Sequence, residues 1–307
     1  MTEYNAIAIL GPTASGKSEL AFRLASKLNA EIVSCDSVQI YKGFDIGSAK
    51  ASVEERALVI HHMIDVLNAD SKMDAATYAE QAQACIEDIF NRGKVPIVVG
   101  GTGLYFRALQ KDRFHTLPSD ASLKAQLSQI STDELRSELE EVDPERASQV
   151  HPNDRVRILR GVEIFRLSRK TIRELTEELD GQINEMQKTR FMVKCLNPAR
   201  AVLHERIAKR ACWMVENGLV DEVERLLASG VSRDSWPFQS IGYKQVLEWI
   251  DNSNASKQDL IEKITIATRQ YAKRQCTWFR EVDKVQVDEK DLNEIVNHLL
   301  LEFKNDI

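Results

Sequence analysis

Gly11-Pro12-Thr13-Ala14-Ser15-Gly16-Lys17-Ser18 is the stretch that decides the fold of this chain. It fits G-x-x-x-x-G-K-[ST], a loop whose glycines let the backbone curl until several N–H groups face one phosphate. Lys17 can reach an outer phosphate, and the Ser18 hydroxyl can hold Mg²⁺. The mechanism needs a strand before the loop and a helix after it. Asn5 to Leu10 is a short apolar run ending at Gly11. Lys17 to Leu28 carries Leu20, Ala21, Leu24, Ala25 and Leu28 at helical spacing. A helix starting there adds its positive end to the phosphate site. The whole string, Gly11 to Ser18, is therefore read as a diphosphate or triphosphate site.

Working outward, Glu31 to Ser34 reads as a second strand, and Tyr78 to Asn91 as a helix closed by Gly93. Val95 to Val99, nearly all Val and Ile, reads as a buried strand of a parallel sheet. This alternation predicts a doubly wound α/β core. From Ala121 to Glu178 strand signals vanish. Leu123, Leu127 and Ile130 share one helical face, and Ile158, Val162 and Phe165 another. Arg190 to Leu196 reads as a strand returning to the sheet. Helices follow near Ala199–Asn217, Leu219–Ser229 and Lys257–Phe279, with Lys284–Val287 as a final strand. The expected fold is an α/β P-loop core with a parallel sheet, residues 1–114 and 190–307, interrupted by a helical insertion, residues 115–189.

The 307 residues allow one large domain or two modest ones. No apolar run reaches the ~18 residues of a membrane helix, and MTEYNAIAIL lacks the basic start of a signal peptide. The five cysteines are far apart with no C-x-x-C pair, which suits reduced thiols in a cytoplasm and argues against a zinc site. His61-His62 has no Cys or acid at ligand spacing and reads as hydrogen-bonding histidines. Net charge is −6, but it is unevenly spread. His151–Arg173 holds seven basic residues against two acids, and Thr268–Arg280 four against none. Thr132–Ser148 is the reverse, with seven acids and two bases. Two basic stretches in an acidic chain suggest a specific polyanion site.

A P-loop does not name a reaction. Kinases and NTPases usually end a second strand in a Mg²⁺-organising acid, whereas Val95–Val99 runs into Gly100-Gly101-Thr102-Gly103. Asp36 follows the second strand. If that strand neighboured the P-loop strand, its carboxylate would lie at the ligand crevice and could take a proton from an attacking nucleophile. A turn or cap aspartate is the alternative.

Several strings together resemble the tRNA dimethylallyltransferase family. They are GPTASGKS at Gly11–Ser18, DSVQIYKGFDIG at Asp36–Gly47, HH at His61–His62 and VVGGTGLY at Val98–Tyr105. Further on come HPNDRVRILRGVE at His151–Glu163, QSIGYK at Gln239–Lys244 and TRQYAKRQCTWFR at Thr268–Arg280. They keep the family's order and span almost the whole chain. GSAKA at Gly47–Ala51 departs from the family's GTAKP, and RGVE at Arg160–Glu163 from the RALE of many relatives.

The resemblance implies transfer of a dimethylallyl group from its diphosphate to N6 of the adenosine 3′ to a tRNA anticodon. The P-loop then holds the donor's diphosphate, with ATP binding left open. Asp36 would be the general base. Lys17, Ser18 and Mg²⁺ would stabilise the leaving diphosphate, Thr102 would sit near the adenine or the reacting carbon, and Arg210, or Arg206, would clamp the diphosphate. Implied tRNA contacts are Asp36, Ser37, Val38, Gln39 and Thr102, then Lys124, Val156, Arg157, Ile158, Leu159 and Arg160 in the insertion. Gln239, Ser240, Ile241, Gly242, Tyr243 and Lys244 follow, and lastly Lys273, Arg274, Gln275, Trp278 and Arg280. A monomer with no membrane partner is expected. A prenyltransferase acting on free adenine nucleotides, a P-loop kinase of a small metabolite and a nucleotide-regulated RNA-binding module are the alternatives.

Overall fold

A computed structural model of the chain describes residues 4–110, 117–180, 189–252, 254–285 and 292–305. The chain divides into two compact units, Met1–Lys111 with Lys188–Ile307, and Asp112–Gln187. The boundary expected at residues 114–115 lies outside the described residues. The first unit runs β1 (Ala6–Leu10), α1 (Lys17–Lys27), β2 (Ala30–Cys35), α2 (Val53–Leu58), β3 (His61–His62), α3 (Ala75–Asn91), β4 (Val95–Gly100) and α4 (Gly103–Gln110). The second unit holds α5 (Ala121–Ser128), α6 (Thr132–Val142), α7 (Pro144–Gln149), α8 (Arg155–Ser168) and α9 (Ile172–Asp180). The first then resumes with β5 (Phe191–Leu196), α10 (Arg200–Glu216), α11 (Leu219–Ala228), α12 (Tyr243–Ile250), α13 (Lys257–Trp278), β6 (Lys284–Val285) and α14 (Leu292–Asn305).

The strands form one parallel sheet in the order β3-β2-β4-β1-β5-β6. Every residue of β1 is buried, as a continuous apolar run in a doubly covered sheet requires. The order corrects one expectation: β2, which carries Asp36 past its end, is not the neighbour of β1. The crossover through α1 leaves a gap of one strand, and β4 fills it. Asp36 nonetheless stays at the carboxyl ends of the strands, where open α/β sheets bind ligands.

On one face of the sheet Ile7, Ile9 and Ile97 pack with Leu20 and Leu24 of α1 and with Ile295, Val296, Leu299 and Phe303 of α14. Sequence reading missed α14, although its apolar residues recur every three or four positions. On the other face Tyr78 of α3 stacks on Tyr105 of α4, ring centroids 4.2 Å apart. The Asp74 side chain accepts from Thr77 N–H at 2.8 Å, so α3 begins at Ala75, ahead of the expected Tyr78. The expected strand Lys284–Val287 is described for Lys284–Val285; the remainder lies outside the described residues.

Three glycines at the end of β4 and just beyond it answer to close approaches. A Cβ on Gly100 would lie 1.9 Å from the Cys35 carbonyl oxygen, one on Gly101 2.3 Å from Gln275 Nε2, and one on Gly103 2.8 Å from the Trp278 ring. The Gly-Gly-Thr-Gly string thus lets β2 and α13 press on the end of β4.

The second unit has its own core, in which Leu127, Leu135, Leu139, Ile158 and Val162 meet. Gly161 faces α6, where a Cβ would lie 2.7 Å from Leu139 Cδ1. Three residues expected to meet tRNA have internal partners here. Ile158 and Leu159 belong to this core, so their side chains are not offered to a ligand. Arg160 donates to the carbonyls of Leu117 and Pro118 and pairs with buried Glu163 at 2.7 Å. Much of the basic stretch is likewise answered by acids. Arg166 pairs with Glu138, Arg173 with Glu145 and Lys170 with Glu178. In this unit the exposed residues among those expected to meet tRNA are Lys124, Val156 and Arg157, the last beside Asp154 at 3.4 Å.

Gly100→Ala is expected to cost at least about 3 kcal/mol, because the clash is with backbone that cannot rotate away. A thermal melt should then fall by roughly 6–12 °C; an unaltered midpoint would refute the close contact of β2 and β4.

Candidate active site

The P-loop is held open by its own backbone. Gly16 takes φ +94° as the N-cap of α1 and supplies no capping side chain. The amide N–H groups of Ala14, Gly16, Lys17 and Ser18 have no protein partner among the described residues. Donors left open at a helix start form an anion site. Ala14 sits at φ +62°, an unfavourable region for a residue with a Cβ. Surrounding contacts hold it there. Gln275 Oε1 accepts from Thr13 N–H at 2.9 Å, and Gln275 Nε2 donates to the Gly101 carbonyl at 2.9 Å. From α10, Arg206 donates to the Ser15 carbonyl at 3.2 Å and Arg210 to Thr13 Oγ1 at 3.3 Å. Both arginines therefore flank the loop, and both line its cavity.

Three cations thus gather at one loop. Burial and the Arg210 guanidinium push the Lys17 ammonium from its ordinary 10.5 down to about 8, against the opposing pull of Asp36. Burial also lowers Arg210, again opposed by Asp36. An anion placed among these groups would relieve their mutual strain.

Asp36 has two jobs, one per oxygen. Its Oδ1 accepts from the N–H groups of Val38 and Gln39 at 2.8 and 3.2 Å, which closes a turn after β2. Oδ2 has no hydrogen-bond partner among the described residues. The turn reading and the functional reading are compatible. Thr102 Oγ1 accepts from Ser37 N–H at 3.2 Å. Thr102 lines neither of the two cavities described next and stands behind the turn.

Two cavities meet here. One, about 480 Å³, runs along the P-loop and includes Lys17 and Ser18. The other, about 330 Å³, has an apolar wall of Ile207, Ala211, Met214 and Ile264, and includes Ser37, Val38, Gln239, Ser240, Ile241, Gly242 and Arg274. Thr13, Asp36, Ser48, Arg210 and Tyr271 line both. Asp36 is the only carboxylate in that shared wall.

Other expected site residues have internal roles. Gln39 is a brace: its amide accepts from Ser34 Oγ and donates to the carbonyls of Ser48 and Ala49. Gln275, expected to meet tRNA, is buried with both ends of its amide used. Tyr243 is also buried, in an aromatic cluster with Phe44 and Phe238, and donates to Glu222 at 2.7 Å. Glu222 in turn accepts from Ile46 N–H at 2.8 Å, so it fixes the loop that carries Ser48. Lys244, Lys273 and Arg280 are exposed. Trp278 is 42% exposed, with the Arg107 guanidinium 4.8 Å from its ring centroid. His61 and His62 hydrogen-bond to the Val59 carbonyl and to Glu31.

Tyr271 is the residue that sequence reading missed. It lies beside Thr102 and Asp36, and burial pushes its hydroxyl up to about 12. Arg274 covers its ring at 5.6 Å. Its only sequence signal was its place between basic residues on one helix.

Among the described residues no group of three or more His, Cys, Asp or Glu can hold a metal. Ser18 is exposed at the head of α1, with no hydroxyl partner among the described residues. One hydroxyl beside a phosphate cavity fits Mg²⁺, which takes most of its ligands from substrate phosphates and water. Among the described residues no helix is long and apolar enough to cross a membrane.

The family described as IPP transferase matches residues 39–282. A tRNA dimethylallyltransferase of Thermotoga neapolitana is 41% identical over 276 residues, covering 89% of this chain and 88% of that protein. One from an Exiguobacterium species is 41% identical over 288 residues, covering 92% and 89%. Among solved structures, a tRNA isopentenylpyrophosphate transferase of Staphylococcus epidermidis superposes with TM-score 0.70 at 34% identity, covering 98% of this chain and 99% of that one. A eukaryotic dimethylallyltransferase acting on tRNA gives TM-score 0.77 at 29% identity, covering 94% and 75%. With this P-loop, this carboxylate and this breadth of similarity, the chain belongs to the IPP transferase family of tRNA dimethylallyltransferases.

Proposed function

We propose that the chain transfers a dimethylallyl group from dimethylallyl diphosphate to N6 of the adenosine next to a tRNA anticodon on its 3′ side, releasing diphosphate. The observation that carries this reading is the position of Asp36, in the wall shared by the phosphate cavity and the second cavity. The donor's diphosphate lies on the open amides of the P-loop between Lys17, Arg206 and Arg210. Its five-carbon group points to the apolar wall, and the adenine enters the second cavity.

Adenine N6 is a weak nucleophile because its lone pair is delocalised into the ring. The protein therefore works by positioning, by excluding water and by stabilising charge on the leaving group. The allylic C–O bond breaks as the N6–C bond forms, its electron pair leaves with the diphosphate, and the N6 proton passes to Asp36 Oδ2. Oδ1, held by two backbone amides, fixes the carboxylate's orientation. Bound Mg²⁺, with Ser18 as its protein ligand, would supply further neutralisation of diphosphate charge. The base must leave its stack to reach the cavity, which costs less in a single-stranded loop than in a duplex. Arg274 and the exposed Lys273, Trp278 and Arg280 supply charge and stacking for that loop.

The kinase alternative is disfavoured by the glycines where β4 would end in an acid. The free-nucleotide alternative is disfavoured by similarity to tRNA enzymes along nearly the full chain.

Incubation with dimethylallyl diphosphate, Mg²⁺ and unmodified tRNA should give prenylated adenosine in the anticodon loop, read by mass spectrometry of the digested RNA. Product on free nucleotide alone, or ATP turnover without prenylation, would overturn the assignment. Asp36→Asn keeps an acceptor for the turn and should lower kcat by about 10²- to 10⁴-fold with tRNA affinity nearly intact. Equal loss of both would make Asp36 structural.

A second prediction concerns pH. Bound diphosphate favours protonated Lys17, whose ammonium in the free protein titrates near 8. Above that pH, binding must take up a proton, so affinity falls as pH rises and is level just below it. The donor's own phosphates, with a last pKa near ~6, are already ionised there. Calorimetry with dimethylallyl diphosphate in the absence of tRNA should show the decline, and Lys17→Ala should remove it; equal affinity at pH 7.5 and 9.5 would contradict the role of Lys17.

A further inference from the structure

Trp236 opens a short 3-10 turn, Trp236–Gln239, just ahead of Ser240, Ile241 and Gly242 in the wall of the second cavity. Pro237 and Phe238 of that turn point inward. Phe238 packs edge-on against Phe44, with ring centroids 5.2 Å apart. With its neighbours anchored inside, the turn presents Trp236 outward, 54% exposed while still lining the cavity. Its indole N–H has no partner among the described residues. The Lys72 ammonium lies 5.6 Å from the ring centroid, over one face. Lys72 is itself exposed and has no ion pair among the described residues. A lone exposed tryptophan needs no explanation. One that rims a cavity under an uncommitted cation has the composition of a platform for a nucleobase and its phosphate.

We propose that Trp236 and Lys72 form a nucleotide subsite at the rim of the acceptor cavity, outside the residues so far assigned. The indole stacks the base adjacent to the adenosine that enters the cavity, and the Lys72 ammonium meets the phosphate of that nucleotide. The subsite rests on the tRNA reading above and deepens it. It makes the neighbour of the target adenosine part of what the protein selects. Stacking accepts any base but favours those with larger faces, so the expected preference at that position is purine over pyrimidine.

The test is a binding cycle with the full chain and an unmodified anticodon stem-loop RNA at fixed salt. Trp236→Ala should raise Kd about five- to a hundredfold, the range spanned by one base–aromatic stack. Trp236→Phe should recover much of that loss. Removing the base on one side of the target adenosine should weaken the unsubstituted protein by a similar factor and leave Trp236→Ala unaffected. Lys72→Gln should lower the salt slope of binding by about one. Affinity for inorganic diphosphate should not change in any of these variants. Unaltered stem-loop affinity in Trp236→Ala, or equal abasic losses with and without the indole at both flanking positions, overturns the subsite. Prenyl transfer by the unsubstituted protein is scored separately, so a protein that transfers but shows no coupling sinks only the subsite. One that shows coupling but transfers nothing sinks only the activity.

Discussion

The carboxamide of Gln275 is the joint on which the site depends. It reaches from α13, near the end of the chain, to a backbone amide of the P-loop and to the carbonyl of Gly101. Each of those backbone groups would otherwise be left without that partner, at about 1–3 kcal/mol apiece where it is buried. Both ends of the amide are used, so the bond has one geometry, and Gly101 lacks the Cβ that would block it. The same helix carries Tyr271 into the shared wall and Arg274 into the second cavity. The helix that fixes the shape of the phosphate nest therefore also shapes the second cavity, and the two cannot drift apart independently.

Electrostatics makes that joint worth having. Lys17, Arg206 and Arg210 crowd one loop, and desolvation shifts both Lys17 and Arg210 toward their neutral forms. Such an arrangement is disfavoured in the empty protein and favoured once an anion arrives. In the proposed reaction the differential would grow as negative charge collects on the departing diphosphate, which is how fixed dipoles and cations lower a barrier without reorganising at the moment of reaction. Asp36 contributes from the other side. Its charge opposes the loss of the Lys17 and Arg210 protons, while its turn hydrogen bonds fix its orientation.

Local features were legible in the sequence and long-range ones were not. Gly11–Ser18 spells its own mechanism, and Asp36 could be singled out because it follows a strand. The seat of that strand could not be read, since the insertion of β4 between β1 and β2 is a property of crossovers and not of residues. The basic run after His151 looked free because its partners, Glu138 and Glu145, lie in a stretch that reads separately as acidic. Gln275 and Tyr243 sit in motifs full of polar groups, where nothing local distinguishes an inward side chain from an outward one. Gly161, where the chain departs from the RALE of many relatives, is accounted for by Leu139 lying against it. Helix α14 carried a clear period and was lost only because the reading stopped at the strand before it.

The chemistry proposed here differs from phosphoryl transfer in where the base must stand. When phosphorus is attacked, the reacting atom lies inside the phosphate nest, and acids that organise metal gather there. When an allylic carbon is attacked, the reacting atom lies beyond the diphosphate, so the base belongs past the nest, where a hydrocarbon group can be housed. The shared wall has that composition. Arg210 and Thr13 face the phosphate side, Asp36 stands between, and Ile207, Ala211, Met214 and Ile264 continue on the far side. An apolar wall gives a phosphoryl acceptor little and gives a five-carbon group about 25 cal/mol for each Å² removed from water. That preference, more than the P-loop motif itself, separates the prenyl reading from the kinase one.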